Sequence, residues 1–305
     1  MKASKMICPA VALASVLTVL CFVYSTAPMA DSTQAAPAGS KPHLTHLPPT
    51  PDSLTFCGER VPLGNQATAE AYDREMIVNT FWHSNTILII KKRQRFFSII
   101  EPILAECGVP DDFKYLCAIE SSLQTTAKSP AGAAGLWQIL EATGREYGLI
   151  VNDEVDQRYD IRQSTYAACR YLRQAYARLG SWTLVAAAYN GGMARVTKNM
   201  DTQRQNSYYD LLWGEETGRY VFRILALKTI LASPADFGFN IDSTAIYPPL
   251  RYHTERVDTS IDDIAQWAID RGTNYKSIKN LNPWLRKNTL TVSNKAFEIM
   301  VPDTD

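Results

Sequence analysis

The sequence predicts a mainly helical protein that ends in a small domain of mixed α and β structure. Apolar residues recur at helical spacing over residues 67–106 and again through most of residues 108–238. The second stretch lacks the alternation of apolar and polar residues that a half-buried strand requires. After residue 240 the pattern changes, and a Pro-containing linker leads into a segment with strand-like ends and two helical stretches.

Composition narrows the class of protein without naming a partner. The chain has 305 residues, 46% hydrophobic and 20% charged, as in an ordinary globular protein. Its 31 basic and 31 acidic residues balance, so no overall basic field would concentrate nucleic acid. The cysteines show no metal-type spacing, and we expect neither a metal site nor a cofactor.

The N-terminus has the layout of an export signal over residues 1–30. Lys2 and Lys5 precede the apolar run 6–24, and small residues follow it. The run approaches the ~20 residues that span a bilayer, so an uncleaved membrane anchor is the alternative. Residues 31–52 are rich in Pro, Ala, Ser and Thr and are predicted to form a flexible tether.

Four cysteines follow the predicted signal: Cys57, Cys107, Cys117 and Cys169. In an oxidising compartment they could form two disulfides. Cys117 lies at a helical core position, however, and buried free thiols are equally consistent with the sequence.

Helix signals place the core elements. Two or three helices are predicted within residues 67–106, and single helices over residues 110–123, 164–179, 182–189 and 217–231.

The helix that begins near Pro110 carries a carboxylate on an apolar face. Phe113, Leu116, Cys117 and Glu120 lie at i, i+3, i+4 and i+7. Burial penalises the ionised form, so Glu120 should have a raised pKa, as a general acid requires. The alternative is a buried Glu held by an Arg or by loop amides.

Two further segments could line a cleft. In the small-residue run 129–138, Ser129 and Gln138 offer hydrogen bonds, and Trp137 offers a flat face for a sugar ring unless it packs in the core. Residues 186–192 are predicted to form a helix that ends in an Asn-Gly cap and leaves Tyr189 at the mouth of the cleft.

Together these segments resemble the lytic transglycosylase family with a goose-lysozyme-like catalytic domain, especially its membrane-bound type D branch. The matching segments are Ile119-Glu120-Ser121, residues 129–138, Thr143-Gly144, residues 187–192 and residues 216–221, with residues 155–160 matching more loosely. Ile139-Leu140-Glu141 departs from the usual Phe-Met-Pro, and Phe222 stands where Pro is usual, which puts fine substrate preference in question.

The resemblance implies roles for individual residues and a location in the periplasm or cell envelope. Glu120 would be the catalytic acid/base, and Tyr220 would approach its carboxyl group. The substrate-binding residues implied are Ser121, Ser129, Gln138, Tyr189, Asn190 and Tyr220. The substrate would be peptidoglycan glycan strands, and complexes with other cell-wall enzymes are compatible with this role.

The implied reaction cleaves the β-1,4 bond between N-acetylmuramic acid and N-acetylglucosamine with formation of a 1,6-anhydro ring. Ordinary glycoside hydrolysis uses two carboxylates, and no motif supplies the second. The acids 153, 154, 156, 160, 215 and 216 are interpreted as helix caps and solvated charges. Two alternatives remain: a lysozyme-type muramidase in which one of these acids positions water, and a non-catalytic wall-binding protein.

The C-terminal segment resembles a degenerate LysM module. Residues 258–265, Leu281-Asn282-Pro283 and residues 297–302 carry the likeness, while Val257 replaces the usual Gly. The alternative is a structural βααβ cap on the catalytic domain. The predicted divisions are a helical extension (53–106), a lysozyme-like catalytic domain (107–240) and a LysM-like peptidoglycan-binding domain (251–305).

Overall fold

The computed structural model describes residues 47–303. The predicted signal or anchor, and the part of the tether before residue 47, lie outside the described residues. Within residues 47–303, no helix is both long and apolar enough to cross a membrane.

The helical region confirms the predicted mainly α fold. A two-residue hairpin, β1 (Thr55–Phe56) and β2 (Glu59–Arg60), precedes eight helices. The helices are α1 (Gln66–Phe81), α2 (His83–Glu106), α3 (Phe113–Ser121), α4 (Glu141–Glu146), α5 (Ile161–Leu179), α6 (Trp182–Gly191), α7 (Met193–Gln203) and α8 (Glu215–Ala232). The hairpin, α4 and α7 were not predicted.

One hydrophobic core joins residues 53–106 to the segment that follows them. It runs from Phe56 to Phe239 and includes residues of α1, α2, α3, α5, α6 and α8. Helix α1 packs along α8, and α2 packs along α5. The division predicted at residue 106 therefore falls within a single packed unit.

Helix ends follow local signals. Asp160 caps α5 by accepting a hydrogen bond from the Gln163 amide, and Ser181 caps α6. Helix α5 ends at Gly180, which has a positive φ of 67°. The Glu59 carboxylate accepts the Thr183 amide at 3.0 Å, so the β1–β2 hairpin also fixes the start of α6.

The C-terminal segment forms the predicted βααβ arrangement. It contains β3 (Tyr252–Val257), α9 (Ile264–Ile269), α10 (Tyr275–Leu281) and β4 (Phe297–Pro302), with β3 antiparallel to β4. The side-chain amide of Asn282 accepts from the Met300 amide at 2.8 Å and donates to the Met300 carbonyl at 2.7 Å. Asn282, from the Leu-Asn-Pro motif, thus satisfies the edge of β4 as a neighbouring strand would.

The four cysteines within residues 47–303 are free thiols in the structure. Cys117 and Cys169 are buried, whereas Cys57 and Cys107 are partly exposed. Of the two alternatives that the sequence left open, the structure has free thiols.

Candidate active site

Helix α3 presents Glu120 from an apolar face. Phe113, Leu116 and Cys117 are fully buried, as the spacing predicts, and Glu120 lies partly exposed one turn further along the face. The helix ends directly afterwards, because Ser122 and Leu123 both adopt positive φ. Glu120 therefore lies in the last turn, where the negative end of the helix dipole disfavours an ionised carboxylate.

The electrostatic surroundings keep a proton on this carboxyl group near neutral pH. Burial raises the pKa of Glu120 to about 7, and the charge of Glu216 acts in the same direction. A hydrogen bond from the Tyr220 hydroxyl and the charge of Arg223 oppose this increase. Burial has the larger effect, so Glu120 can both donate and accept a proton near pH 7.

Tyr220 approaches Glu120 from helix α8. Its hydroxyl donates a hydrogen bond to Glu120 Oε1, and its side chain is almost completely buried. Within residues 47–303, no Lys, Arg or His forms an ion pair with Glu120, and no amide donates to it. The alternative of a structural Glu held by an Arg or by loop amides thus has no contact in its favour among these residues.

The small-residue loop 128–139 folds back on itself as two short antiparallel bridges. Ala134 pairs with both Lys128 and Ile139. The Ser129 hydroxyl oxygen accepts the Ala133 amide at 3.1 Å. Gln138 has a positive φ of 47°, and its Nε2 donates to the Gly135 carbonyl at 2.8 Å. The loop therefore holds Ser129 and Gln138 through its own backbone.

Two residues of the matched segments, Trp137 and Ser121, are buried. Trp137 is fully buried and donates from Nε1 to Thr165 Oγ1 at 2.9 Å, so it is a core residue and offers no face to a sugar. Ser121 is also buried, and its hydroxyl donates to the Cys117 carbonyl at 3.3 Å. This position favours packing over direct contact with a ligand, and the substrate-binding role of Ser121 stays a prediction.

The end of helix α6 supplies the opposite wall. The Tyr189 hydroxyl donates to the Trp137 carbonyl at 2.6 Å, which ties α6 to the loop 128–139. Asn190 is held from both sides of its amide, because it accepts from Thr217 Oγ1 at 2.8 Å and donates to Glu216 Oε1 at 3.2 Å. Both side chains remain partly exposed.

Gln138, Tyr189 and Asn190 line one cavity of about 410 Å³. Glu120, Ser129 and Tyr220 are not among its lining residues. Tyr189, which lines this cavity, also lies near enough to Glu120 for the Glu120 charge to contribute, after burial, to raising the pKa of Tyr189.

The same cavity includes residues that the sequence analysis did not identify as cleft residues. These are Thr143, Tyr147, Tyr171 and Met193, together with Leu140, which belongs to the Ile-Leu-Glu segment that differs from the family's usual Phe-Met-Pro. The Tyr171 hydroxyl donates to the Ala188 carbonyl at 2.8 Å, and its ring meets Tyr189 edge to face. Tyr171 carried no motif signal, because only the fold brings α5 alongside α6.

Two of the loop acids are a cap and a surface charge, as the sequence analysis expected: Asp160 caps α5, and Glu215 lies exposed in the first turn of α8. Three others differ. Asp156 forms a buried ion pair with Arg158, Glu154 accepts hydrogen bonds from Thr289 and Thr291, and the charge of Glu216 reaches Glu120. Within residues 47–303, no group of three or more His, Cys, Asp or Glu side chains could hold a metal ion.

Comparison with known proteins finds one family match in the helical region and another in the C-terminal segment. Residues 99–212 match the family described as Transglycosylase SLT domain. Residues 253–305 match the Soluble lytic transglycosylase C-terminal LysM-like domain. This chain carries an SLT domain followed by a LysM-like domain.

Relatives of this chain include Membrane-bound lytic murein transglycosylase D of Escherichia coli strain K12. The two sequences are 28% identical over 267 residues, which cover 85% of this chain and 57% of the relative. A second Escherichia coli strain has a relative with the same values. The chain thus aligns with little more than half the length of the curated relatives it matches.

Two solved structures resemble the SLT-containing chain over about half its length. One is an inactive mutant of lytic transglycosylase Slt from Pseudomonas aeruginosa, with 22% identity, a TM-score of 0.39 and coverage of 50% of this chain and 26% of that one. The other is the 70 kDa soluble lytic transglycosylase of Escherichia coli, with 20% identity, a TM-score of 0.41 and coverage of 52% and 28%.

Proposed function

We propose that this chain is a peptidoglycan lytic transglycosylase with Glu120 as its single acid/base. The observation that carries the proposal is the Glu120 carboxyl group, which has a pKa of about 7 and accepts its hydrogen bond from a phenol. The SLT domain match and the murein transglycosylase relatives supply the substrate class. We also propose a location in the cell envelope.

In the first step, protonated Glu120 transfers its proton to the glycosidic oxygen between N-acetylmuramic acid and N-acetylglucosamine. The C1–O bond breaks, and the N-acetyl group of the muramic acid stabilises the charge that develops at C1. The proton required is available because burial keeps Glu120 protonated up to about pH 7. The Tyr220 hydroxyl then stabilises the resulting carboxylate.

In the second step, the Glu120 carboxylate takes the proton of the C6 hydroxyl of the same sugar. The C6 oxygen bonds to C1, which closes the 1,6-anhydro ring and returns Glu120 to its protonated form. A well-oriented intramolecular nucleophile can have an effective concentration of roughly 10⁵ M or more, so it can outcompete water. Gln138, Tyr189 and Asn190 would bind the flanking sugars in the cavity they line.

Replacement of the acid tests catalysis against simple wall binding. Glu120→Gln should lower the rate of glycan cleavage by about 10²–10⁴-fold, because the amide cannot transfer the proton. Binding to purified peptidoglycan should persist, since the shape of the side chain is kept. An unchanged cleavage rate would contradict the proposal, and wild-type binding without cleavage would favour the non-catalytic alternative.

A lysozyme-type hydrolase is the second candidate, and Glu216 is the observation that favours it. Its exposed carboxylate acts on the pKa of Glu120 and could position a water molecule. Glu216→Gln should leave cleavage within about tenfold of wild type under the transglycosylase mechanism. A loss comparable to that of Glu120→Gln would favour the hydrolase instead.

A further inference from the structure

The LysM-like domain packs directly against the loop 150–160 of the SLT domain. Val155 forms an isolated β-bridge with Leu285, and the Asp156 amide donates to the Trp284 carbonyl at 2.9 Å. The Arg286 amide donates to the Glu154 carbonyl at 2.7 Å. The loop therefore pairs with the C-terminal domain as a strand would, through backbone groups.

The Glu154 side chain adds a second attachment to the same domain. Its carboxylate accepts hydrogen bonds from the Thr289 hydroxyl and, at 3.0 Å, from the Thr291 amide. These two bonds lower the pKa of Glu154, the Thr289 hydroxyl having the larger effect. The ionised carboxylate of Glu154 thus holds the segment 289–291 in place.

From this loop a buried ion pair reaches towards the cleft. Arg158 donates to both carboxylate oxygens of Asp156, at 2.9 Å from Nε and 2.7 Å from Nη2. The Arg158 and Asp156 side chains are only 6% and 10% exposed, so solvent screens this bidentate ion pair weakly. The remaining nitrogen, Nη1, donates to the Gly132 carbonyl at 2.9 Å.

The loop 128–139 packs against the loop 150–160 as well. Ala134 is fully buried in one hydrophobic cluster with Val155 and the core of the LysM-like domain. A Cβ at Gly135 would lie 1.8 Å from the Arg158 carbonyl oxygen, so backbone meets backbone there. Gly135 in turn accepts the hydrogen bond from Gln138 Nε2. A continuous set of contacts therefore runs from the C-terminal domain to a side chain that lines the cavity.

We propose that the LysM-like domain is a fixed part of the catalytic unit and positions the Gln138 wall of the cleft through Glu154 and Arg158. Both are positioning residues, since they act through the loop 128–139 and not on the substrate. This inference rests on the proposed function for its effect on catalysis. Its structural part, the coupling of residues 285–291 to residues 132–139, stands without it.

The test uses the full chain and the variant Glu154→Gln, which puts an amide donor opposite the Thr289 and Thr291 donors. Amide hydrogen exchange of residues 132–139 should accelerate by about tenfold or more, because losing a charge-assisted bond loosens the docked loop. KM for peptidoglycan should increase with kcat little changed, because Glu120 keeps its surroundings.

The neighbouring variant Asp153→Asn is the control. It has the same charge change in the same loop, but its side chain is 92% exposed and lies 3.7 Å from Lys287. We expect no change in exchange or KM. Faster exchange confined to residues 285–291 in Glu154→Gln, with residues 132–139 unchanged, would overturn the proposal.

If Glu154→Gln does not fold, Arg158→Lys provides the second test. It keeps the positive charge but loses the bidentate contact with Asp156. The same acceleration of amide exchange over residues 132–139 is expected. Unchanged exchange there would also overturn the proposal. The wild-type chain could fail to cleave peptidoglycan while either variant still accelerates exchange over residues 132–139. That result would support the positioning and contradict the proposed function.

Discussion

Glu120 and Tyr220 form a carboxyl–phenol pair at the meeting of α3 and α8. Burial and the phenol have opposite effects on the pKa of Glu120, and burial prevails. The pair explains how one residue could serve first as an acid and then as a base, because a carboxyl group with a pKa near 7 is close to half protonated at neutral pH.

Removing the phenol should move the pH profile in a defined direction. Tyr220→Phe removes a hydrogen bond that favours the ionised form of Glu120, so the Glu120 pKa should rise further. Because the acid must be protonated to donate, kcat/KM should decline above about pH 7 in wild type and at higher pH in the variant. A matched control is Tyr166→Phe, which removes a Tyr–Glu hydrogen bond to Glu106 elsewhere on the surface. A decline that stayed in place or moved to lower pH in Tyr220→Phe would contradict this account.

At this scale, periodicity predicted the face of Glu120 but not the environment of every motif residue. Spacing places Phe113, Leu116 and Cys117 beside Glu120, and they are buried as expected. A Trp beside a small-residue run is compatible with either a cleft or a core, and Trp137 lies in the core, where Thr165 accepts its Nε1–H hydrogen bond. The identity of that partner depends on the packing of α5, which local sequence does not reveal.

Among the elements, the loop 128–139 is the one whose shape the cleft depends on most. Its two antiparallel bridges hold Gln138 in a left-handed conformation. Arg158 supports it from behind through Gly132, and Tyr189 ties it to α6 through the Trp137 carbonyl. The loop has little freedom to adjust because it is held on both sides.

Gly135 should be intolerant of any side chain. It has a positive φ of 77°, and a Cβ would lie 1.8 Å from the Arg158 carbonyl oxygen. Gly135→Ala should lower the free energy of unfolding by at least about 2 kcal/mol through combined strain and overpacking. Gly64→Ala is the control, since no atom lies within 4 Å of its Cβ position. Equal urea midpoints for wild type and Gly135→Ala would show that the loop can move away from Arg158.

The sequence predicted most helices well and short elements poorly. Caps such as Asp160 and Ser181 lie at helix starts with clear signals, so the predicted and observed bounds of the later core helices differ by only a few residues. The hairpin of residues 55–60 has two residues per strand, too few for an alternating pattern. Its Glu59 contacts the N-terminus of α6, more than 120 residues away in the chain, and such a partner is not evident from local sequence.

For the molecule as a whole, the sequence predicted a small C-terminal domain, with a βααβ cap on the catalytic domain as the alternative, but not the contacts that attach it. The βααβ pattern was readable because its strands and helices have their own apolar positions. The docking depends on backbone groups of residues 154–156 and 284–286, which carry no sequence signal. Glu154 was interpreted as a solvated charge for the same reason, since its partners Thr289 and Thr291 are distant in sequence.

The most direct test of the central claim is the chemical nature of the new glycan ends. Purified peptidoglycan digested by the wild-type chain should give fragments ending in 1,6-anhydromuramic acid, lighter by one water molecule than the products of hydrolysis. Mass spectrometry distinguishes the two, and Glu120→Gln should give neither. Fragments with ordinary reducing ends and no anhydro product would contradict the claim that Glu120 acts alone and that the sugar's own C6 hydroxyl is the nucleophile.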